Sequence, residues 1–574
     1  MRILLYIAGL LSIAPGIVYG QTAPQTDSSA GSSDVGAEVK ALREALYRTQ
    51  QQVAAQQQEI ETLKAQSKTA QPSSSAGASI AAPAEAVPAS AMTNTTPSGP
   101  AAEFQNGPAS VPNGPQEEQT QQSDENASGS IKIGDAVLTP GGFVDFENIY
   151  RTTNTQNNLA TAFAAIPFSN TQQGHVSELR TTAQFSRLNL KVTDSFNGNS
   201  VMGYVEGDFS GNQAATVYQS TSNLTNRLRL YFGMFQRGKW EAVGGQVWSW
   251  LTPNRNGIGP MPSDLAIMYN EDQNIGVGLP YTRGAELRVA YHFNEHWAMG
   301  VGIEASNQFI GNFVALPAGF SSISSEFDNN SQVGTPNFTP DVLSKITYDN
   351  DFSGKHFHAE IVGLFTDAHA SVKPIGETSF QSRTTVGGGG DIAANYDLLP
   401  NKLVVLANAF WSDGGAHYLV STGPQLVVRP NLAGTDVNLS MVHAGAGSAG
   451  LEWRASEKEA FAVYYAADYY GRDFFPDTTN TAAPGTIIGY GGPGSPNSNN
   501  RAIQEVTFDW LLTFWKNQRY GALQSYTQYS YLTRAPWYVA PDSPKNAHLS
   551  MVYAGIRYVL PSTSGTLLRV PYPN

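Results

Sequence analysis

Arg180, Arg187, Lys191, Arg227, Arg229, Arg283 and Arg288 are the residues of this chain whose type and spacing could do chemistry together. A guanidinium is permanently charged and offers a planar fork of donors that grips a carboxylate through two bonds. Repeated along neighbouring segments, such groups attract and guide anions. In Arg227-Leu228-Arg229-Leu230-Tyr231-Phe232-Gly233-Met234 the two arginines take one face of an extended segment, and Leu228, Leu230, Phe232 and Met234 take the other. Glu206 and Asp208 are candidates for an opposing acidic wall, as are Asp264, Glu271 and Asp272. Any one of these arginines would serve equally in a plain salt bridge. It is the set that points to a charged passage.

No reaction centre is legible beside it. His356 and His358 alternate within one extended segment and so share a face, but no third metal ligand can be assigned, and polar lining is the simpler reading. Gly387 to Gly390 lacks the following Lys-Ser/Thr of a phosphate-binding loop and reads as closely packed wall. No Ser/His or Asp/His set can be assembled for a hydrolase. The expectation is therefore a chain without catalytic residues, cofactor, resident metal or nucleic-acid partner.

The elements that would position the arginines begin near Leu138. From there, segments of roughly ten residues alternate apolar and polar side chains, the sequence pattern of a transmembrane β-barrel. Ala285, Leu287, Val289, Tyr291 and Phe293 take one face of their segment, with Glu286, Arg288 and His292 on the other. Val506, Phe508, Trp510, Leu512 and Phe514 alternate likewise with Thr507 and Asp509. A charged inner face is costly in a dry core and reasonable in a water-filled lumen. Short turns are signalled at Phe196-Asn197-Gly198-Asn199, Arg237-Gly238, Asn294-Glu295, Asp351-Phe352-Ser353-Gly354, Leu399-Pro400-Asn401, Ser456-Glu457-Lys458 and Asn517-Gln518. Longer connections fall at 151–177, 211–224, 250–281, 309–339, 368–379, 413–440, 471–501 and 532–547. Seven turns and eight loops make sixteen antiparallel strands with both ends on one side. The third long loop, 250–281, is the one expected to fold inward and narrow the hole. Trp248, Trp250, Trp297, Trp411, Trp515 and Trp537 lie near segment ends, as membrane-interface girdles require. Packing of these rings against loops is the alternative.

Composition agrees with a barrel. The 574 residues include only 14% charged and as many as 11% aromatic side chains, against about 25% charged in soluble domains. The net charge of -13 counts loops and linker as well as any passage, so it decides little about selectivity. The absence of cysteine removes disulfides, thiolate metal sites and a lipoprotein anchor. Arg2, the apolar run Ile3 to Ile13 and Val18-Tyr19-Gly20 predict a secretory signal peptide over 1–20, and no other stretch is long and apolar enough for a membrane helix. Residues 34–65 carry unbroken heptads. Val39, Leu46, Val53 and Ile60 stand at a, and Val35, Leu42, Thr49, Gln56 and Leu63 at d, which predicts an α-helical, trimer-forming coiled coil. A single helix lying on a surface is the alternative. The Ala/Pro/Ser-rich stretch 66–130 reads as a disordered linker, and 131–574 as the barrel.

The stretch Glu178-Leu179-Arg180-Thr181-Thr182-Ala183-Gln184-Phe185-Ser186-Arg187-Leu188-Asn189-Leu190-Lys191 resembles an early strand of bacterial porins of the DcaP-like group. The likeness in layout covers the whole mature chain, and the likeness in residues this stretch alone. The resemblance implies a homotrimeric barrel in the bacterial outer membrane, in contact with its lipid, with the coiled coil in the periplasm. It also implies passive passage of small hydrophilic, often anionic solutes such as dicarboxylates. The linker is longer than that pattern expects, and the chain runs on from Tyr558 through Pro561 to Asn574 where such barrels commonly end on an aromatic residue. Two other classes fit the layout: an envelope tether with a closed barrel, and a barrel enzyme.

Overall fold

The computed structural model describes residues 129–561, apart from 156–158, 212–224, 267–269, 273–274, 328–336 and the single positions 307, 338, 422 and 518. The expected signal peptide, coiled coil and most of the linker lie outside the described residues, as does the stretch after 561.

Sixteen antiparallel wall strands close into a barrel. In chain order they are Ala136–Arg151; a second strand in two pieces, Glu178–Thr182 and Arg187–Phe196; then Asn199–Asp208, Arg227–Arg237, Trp240–Trp248, Arg283–His292, Trp297–Glu304, Asp341–Phe352, Lys355–Val372, Gln381–Leu399, Leu403–Asp413, His443–Arg454, Glu459–Tyr470, Asn500–Asn517, Gly521–Pro536 and Ala547–Val559. They are wall strands 1 to 16 below. Each pairs with its sequence neighbours, and strand 16 closes on strand 1 from Phe143↔Val559 to Arg151↔Met551. All seven short turns fall where Gly, Asn or charged residues announced them. Asn197, Ser353 and Asn401 adopt positive φ, as tight turns between twisted strands demand.

The faces follow the alternation in most strands. In wall strand 6, Leu287 is 57% exposed on the outside while Glu286 and Arg288 are buried within. In wall strand 14, Phe508 and Trp510 face out, and Thr507 and Asp509 face in. Exposure of apolar side chains is the stable arrangement only where the surrounding medium is itself apolar. Leu287→Arg, near the middle of its strand, should therefore cost about 2–4 kcal/mol of folding free energy in a bilayer. Reversible unfolding from lipid vesicles measures this, and a neutral result would mean that this face does not meet hydrocarbon.

Wall strand 4 departs from the expected alternation. Leu228 faces out, but Leu230, Phe232 and Met234 point inward, while Tyr231 and Phe235 take the outer face. A β-bulge opposite Glu206/Gly207 places Arg229 and Leu230 side by side on the inner face, and the parity inverts from there on. Both arginines still point inward. The tryptophan girdle is also smaller than expected. Trp297, Trp411 and Trp515 are exposed, whereas Trp248 and Trp250 are 2% and 1% exposed inside the barrel.

Two of the long connections carry structure of their own. Hairpins Leu426–Pro430/Val437–Met441 and Asp473–Pro476/Ile487–Tyr490 rise at the long-loop end. With Ile310, Phe320, Ile323 and Phe327 they build an apolar dome continuous with Leu343, Val362 and Phe410 of the wall.

Candidate functional site in the barrel interior

Wall strands 2, 3, 4 and 6 bring a basic cluster together. Register pairs Arg187 with Asp208, and Asp208 with Arg227, on adjacent strands. Arg229 is fully buried. Its Nε donates to Glu206 Oε1 at 2.6 Å and its Nη1 to Asp208 Oδ2 at 3.2 Å. Arg227 holds Asp208 through two bonds, of 3.0 and 2.7 Å. Arg187 lies 3.8 Å from Glu206, whose other oxygen accepts the Tyr204 hydroxyl at 2.8 Å. Arg283 lies over the Trp248 ring at 5.0 Å, within electrostatic reach of Arg227 and Arg229. Four guanidiniums thus meet two carboxylates. Such an excess leaves the cluster positive as a whole.

The remaining expected cations stand apart from that cluster. Arg180 sits toward the long-loop end on Glu178, at 2.9 Å, and Glu178 also receives Arg151 at 3.0 Å. Lys191 lies on the inner face nearer the short turns, within electrostatic reach of Asp264 in the third loop. Arg288 belongs to another part of the interior, over Trp250 at 5.1 Å and 3.7 Å from Glu286. Arg180, Lys191, Arg227 and Arg283 keep contact with water, whereas Arg187, Arg229 and Arg288 are buried.

Glu206 and Asp208 do not form an opposing wall. They are interleaved with the arginines because wall strand 3 lies between strands 2 and 4, and side chains at paired positions on one face meet directly. An acidic wall does exist across the barrel, built from other residues: Glu360, Asp391, Glu452, Asp468, Glu505 and Asp509, all buried on wall strands 9 to 14.

The third long connection does fold inward, and this acidic wall is what holds it. Asn254 N–H donates to Glu360 at 3.1 Å, and Arg255 Nη1 donates to Glu452 at 2.7 Å. Val277 N–H donates to Glu505 at 3.2 Å, and Gly278 N–H to Asp468 at 2.8 Å. Gly278 has φ +87°, and a Cβ there would come within 2.4 Å of the Gly447 carbonyl oxygen, so only glycine fits this close crossing. Glu271 and Asp272 reach farther. Glu271 pairs with Arg557 of wall strand 16 at 2.8 Å, and Arg557 also holds Asp145 of strand 1 at 2.6 Å. Asp272 accepts the Tyr553 hydroxyl at 2.5 Å and bonds the Thr161 hydroxyl. Asp264 closes a short 3₁₀ turn, Pro262–Asp264, and stays half-buried inside the barrel. Leu265, Ile275, Leu279 and Tyr281 pack on Leu230, Phe232, Val243 and Val247, the inner apolar strip that the bulge creates. The loop thus removes most inner charges from water, so the lumen is narrower than an open water-filled one.

The sequence analysis missed Arg557, Arg255, Lys345 and Tyr553. Lys345 is fully buried, 2.9 Å from Glu360 and 2.7 Å from Asn254 Oδ1 of the loop. The inward parity of Met551, Tyr553 and Arg557 on the last strand was the available signal. His358 bridges Asp349 at 2.7 Å and Glu360 at 3.1 Å, and His356 Nε2 donates to the Arg255 carbonyl at 3.2 Å, so both serve the loop's seat. Among the described residues no group of three or more His, Asp or Glu has metal-binding geometry. The glycine run lies in wall strand 10, where a Cβ at Gly389 would come within 2.2 Å of the Trp411 carbonyl oxygen; it is closely packed wall.

No family model and no curated protein matches the chain. Among solved structures, the outer membrane channel DcaP of Acinetobacter baumannii matches at 17% identity and TM-score 0.50, over 75% of this chain and all of that one. The anion-selective porin from Comamonas acidovorans matches at 11% identity and TM-score 0.39, over 74% of this chain and all of that one. Salmonella typhi OmpF, in complex with daunomycin, matches at 10% identity and TM-score 0.41, over 75% of this chain and all of that one. The resemblance to DcaP-like porins seen in the sequence therefore extends to the fold: this chain has the barrel fold of the DcaP channel.

Proposed function

We propose that the protein is a porin of the bacterial outer membrane, passing small hydrophilic solutes passively with preference for anions such as dicarboxylates. The excess of guanidinium over carboxylate at Arg187, Arg227, Arg229 and Arg283 carries this reading. Opposite it, Glu360, Glu452, Asp468 and Glu505 of the acidic wall accept bonds from the loop's N–H groups or Arg255. On the basic wall Arg227 and Arg283 keep contact with water. A charged, low-dielectric constriction selects solutes by sign. Arg180, Lys191 and Arg288 contribute to the positive field along the way. Glu206 and Asp208 set its strength, and Asp264, Glu271 and Asp272 set the loop's position. The heptads upstream favour a homotrimer with its coiled coil in the periplasm. Single-channel recording in planar bilayers under a salt gradient tests the proposal: discrete openings with an anion-selective reversal potential are expected, and cation preference would overturn the selectivity.

The closed-barrel tether keeps one specific observation in its favour, the depth to which the loop buries the inner charges. Recording from a chain lacking residues 21–129 separates the two. A porin still conducts, whereas a tether shows no openings in either form.

A further inference from the structure

On the outside of the barrel, at the long-loop end, two arginines share one ring. Arg472 follows wall strand 13 by two residues, and Arg501 stands at a register shift near the start of wall strand 14. Both are exposed. Their guanidinium carbons lie 5.4 and 5.9 Å from the centroid of the Trp537 ring, and Arg472 also lies 5.9 Å from that of Phe474. Among the described residues neither arginine has a carboxylate partner. The ring itself is fixed. Trp537 N–H donates to the Asn499 carbonyl at 2.9 Å, and the indole Nε1 donates to the Tyr470 carbonyl at 2.9 Å. Trp537 thus bridges the ends of strands that are not neighbours, and holds two cations side by side above the wall.

Beneath them an outward aromatic column begins. Tyr469 meets Trp537 edge-on at 6.0 Å and stacks on Trp411 at 6.2 Å. Tyr465 and Val463 continue the outer face of wall strand 13. The nearby carboxylates have partners of their own. Asp413 is paired with His443, and Asp473 lies within reach of Ser440 and Arg429. Aromatic residues of this kind mark the level of lipid headgroups, and the cations sit on the water side of that level. A guanidinium suits a phosphate through two parallel bonds, and stacking on a fixed indole holds it in place beforehand.

We propose that Arg472 and Arg501 bind the phosphate of an anionic lipid of the outer leaflet, whose acyl chains lie along Tyr469, Tyr465 and Val463. This rests on the reading of the chain as an outer-membrane barrel. A lipid is favoured over a dissolved anion because the cations adjoin the apolar column, where chains and headgroup are recognised together.

The test uses the full chain purified in detergent and native mass spectrometry, with diphosphorylated lipid A as probe. The wild type should retain the lipid, and R472Q/R501Q should need at least about tenfold more to reach the same occupancy. R472K/R501K, which keeps the charge and loses the fork and the stacking, should fall between them. Equal retention by R472Q/R501Q would overturn the proposal. So would equal retention of dephosphorylated lipid A, or inorganic phosphate displacing the lipid at comparable concentration. Insertion and conductance of the same variants are recorded in parallel. Failure of the wild type to insert or conduct would strike the porin reading itself, whereas normal conductance with unchanged lipid retention would strike only this one.

Discussion

Replacing Arg227 and Arg229 by serine should turn the reversal potential toward cations. A unit charge about 4 Å from a permeating ion contributes roughly 1 kcal/mol in bulk water and more where the dielectric is lower. That amounts to about fivefold in the anion-to-cation permeability ratio for each charge removed. The change is amplified by what it leaves behind. Glu206 and Asp208 lose the partners that hold them at 2.6 to 3.2 Å, and the cluster's positive excess is cancelled, with Arg187 and Arg283 left to balance the two carboxylates. Removing one partner of a buried pair also costs about 3–5 kcal/mol of stability, so the variant should unfold in urea at lower concentration. Adding Glu206→Gln and Asp208→Asn should restore much of the stability and bring the reversal potential part of the way back, because the four changes together remove no net charge. An unchanged reversal potential in R227S/R229S, with openings intact, would show that the basic wall does not face the ions.

Freeing the tip of the third loop should have the other large effect. E271A/D272A removes the contacts to Arg557, Tyr553 and Thr161. Hydrogen bonds to charged groups contribute about 1.5–3 kcal/mol each. Losing two of them shifts the balance between seated and unseated tip by a factor on the order of 100. Single-channel conductance should rise and its noise increase. Arg557 keeps Asp145, so the wall itself stays paired, and the anchors at Glu360, Glu452, Asp468 and Glu505 hold the rest of the loop. Identical conductance in variant and wild type would mean that the seat of Glu271 and Asp272 does not constrict the path.

The strand count and every short turn were legible in the sequence, because tight turns need particular residues and alternation has a fixed period. The inward fold of 250–281 was expected from its place as the third long loop. The bulge at Arg229 was not, since Leu230 and Leu228 look alike in sequence and only the partner strand decides which turns inward. The partners of Glu271 and Asp272 were also hidden. Arg557 and Tyr553 come from a strand almost three hundred residues away, and no local signal carries that pairing. Trp248 and Trp250 were misplaced for a related reason: a ring near a strand end serves a membrane girdle or a loop's underside equally well, and here Tyr281 packs against Trp248 at 4.2 Å.

The seat of Glu271 has a consequence for the order of assembly. Arg557 belongs to the last strand and Asp145 to the first, so their ion pair spans the seam where the chain's two ends meet. The loop that narrows the hole is thus fastened to a joint that exists only after the last strand is in place. A barrel still missing its final strand lacks Arg557 and Tyr553, so the tip's full seat is complete only once the chain's two ends have met.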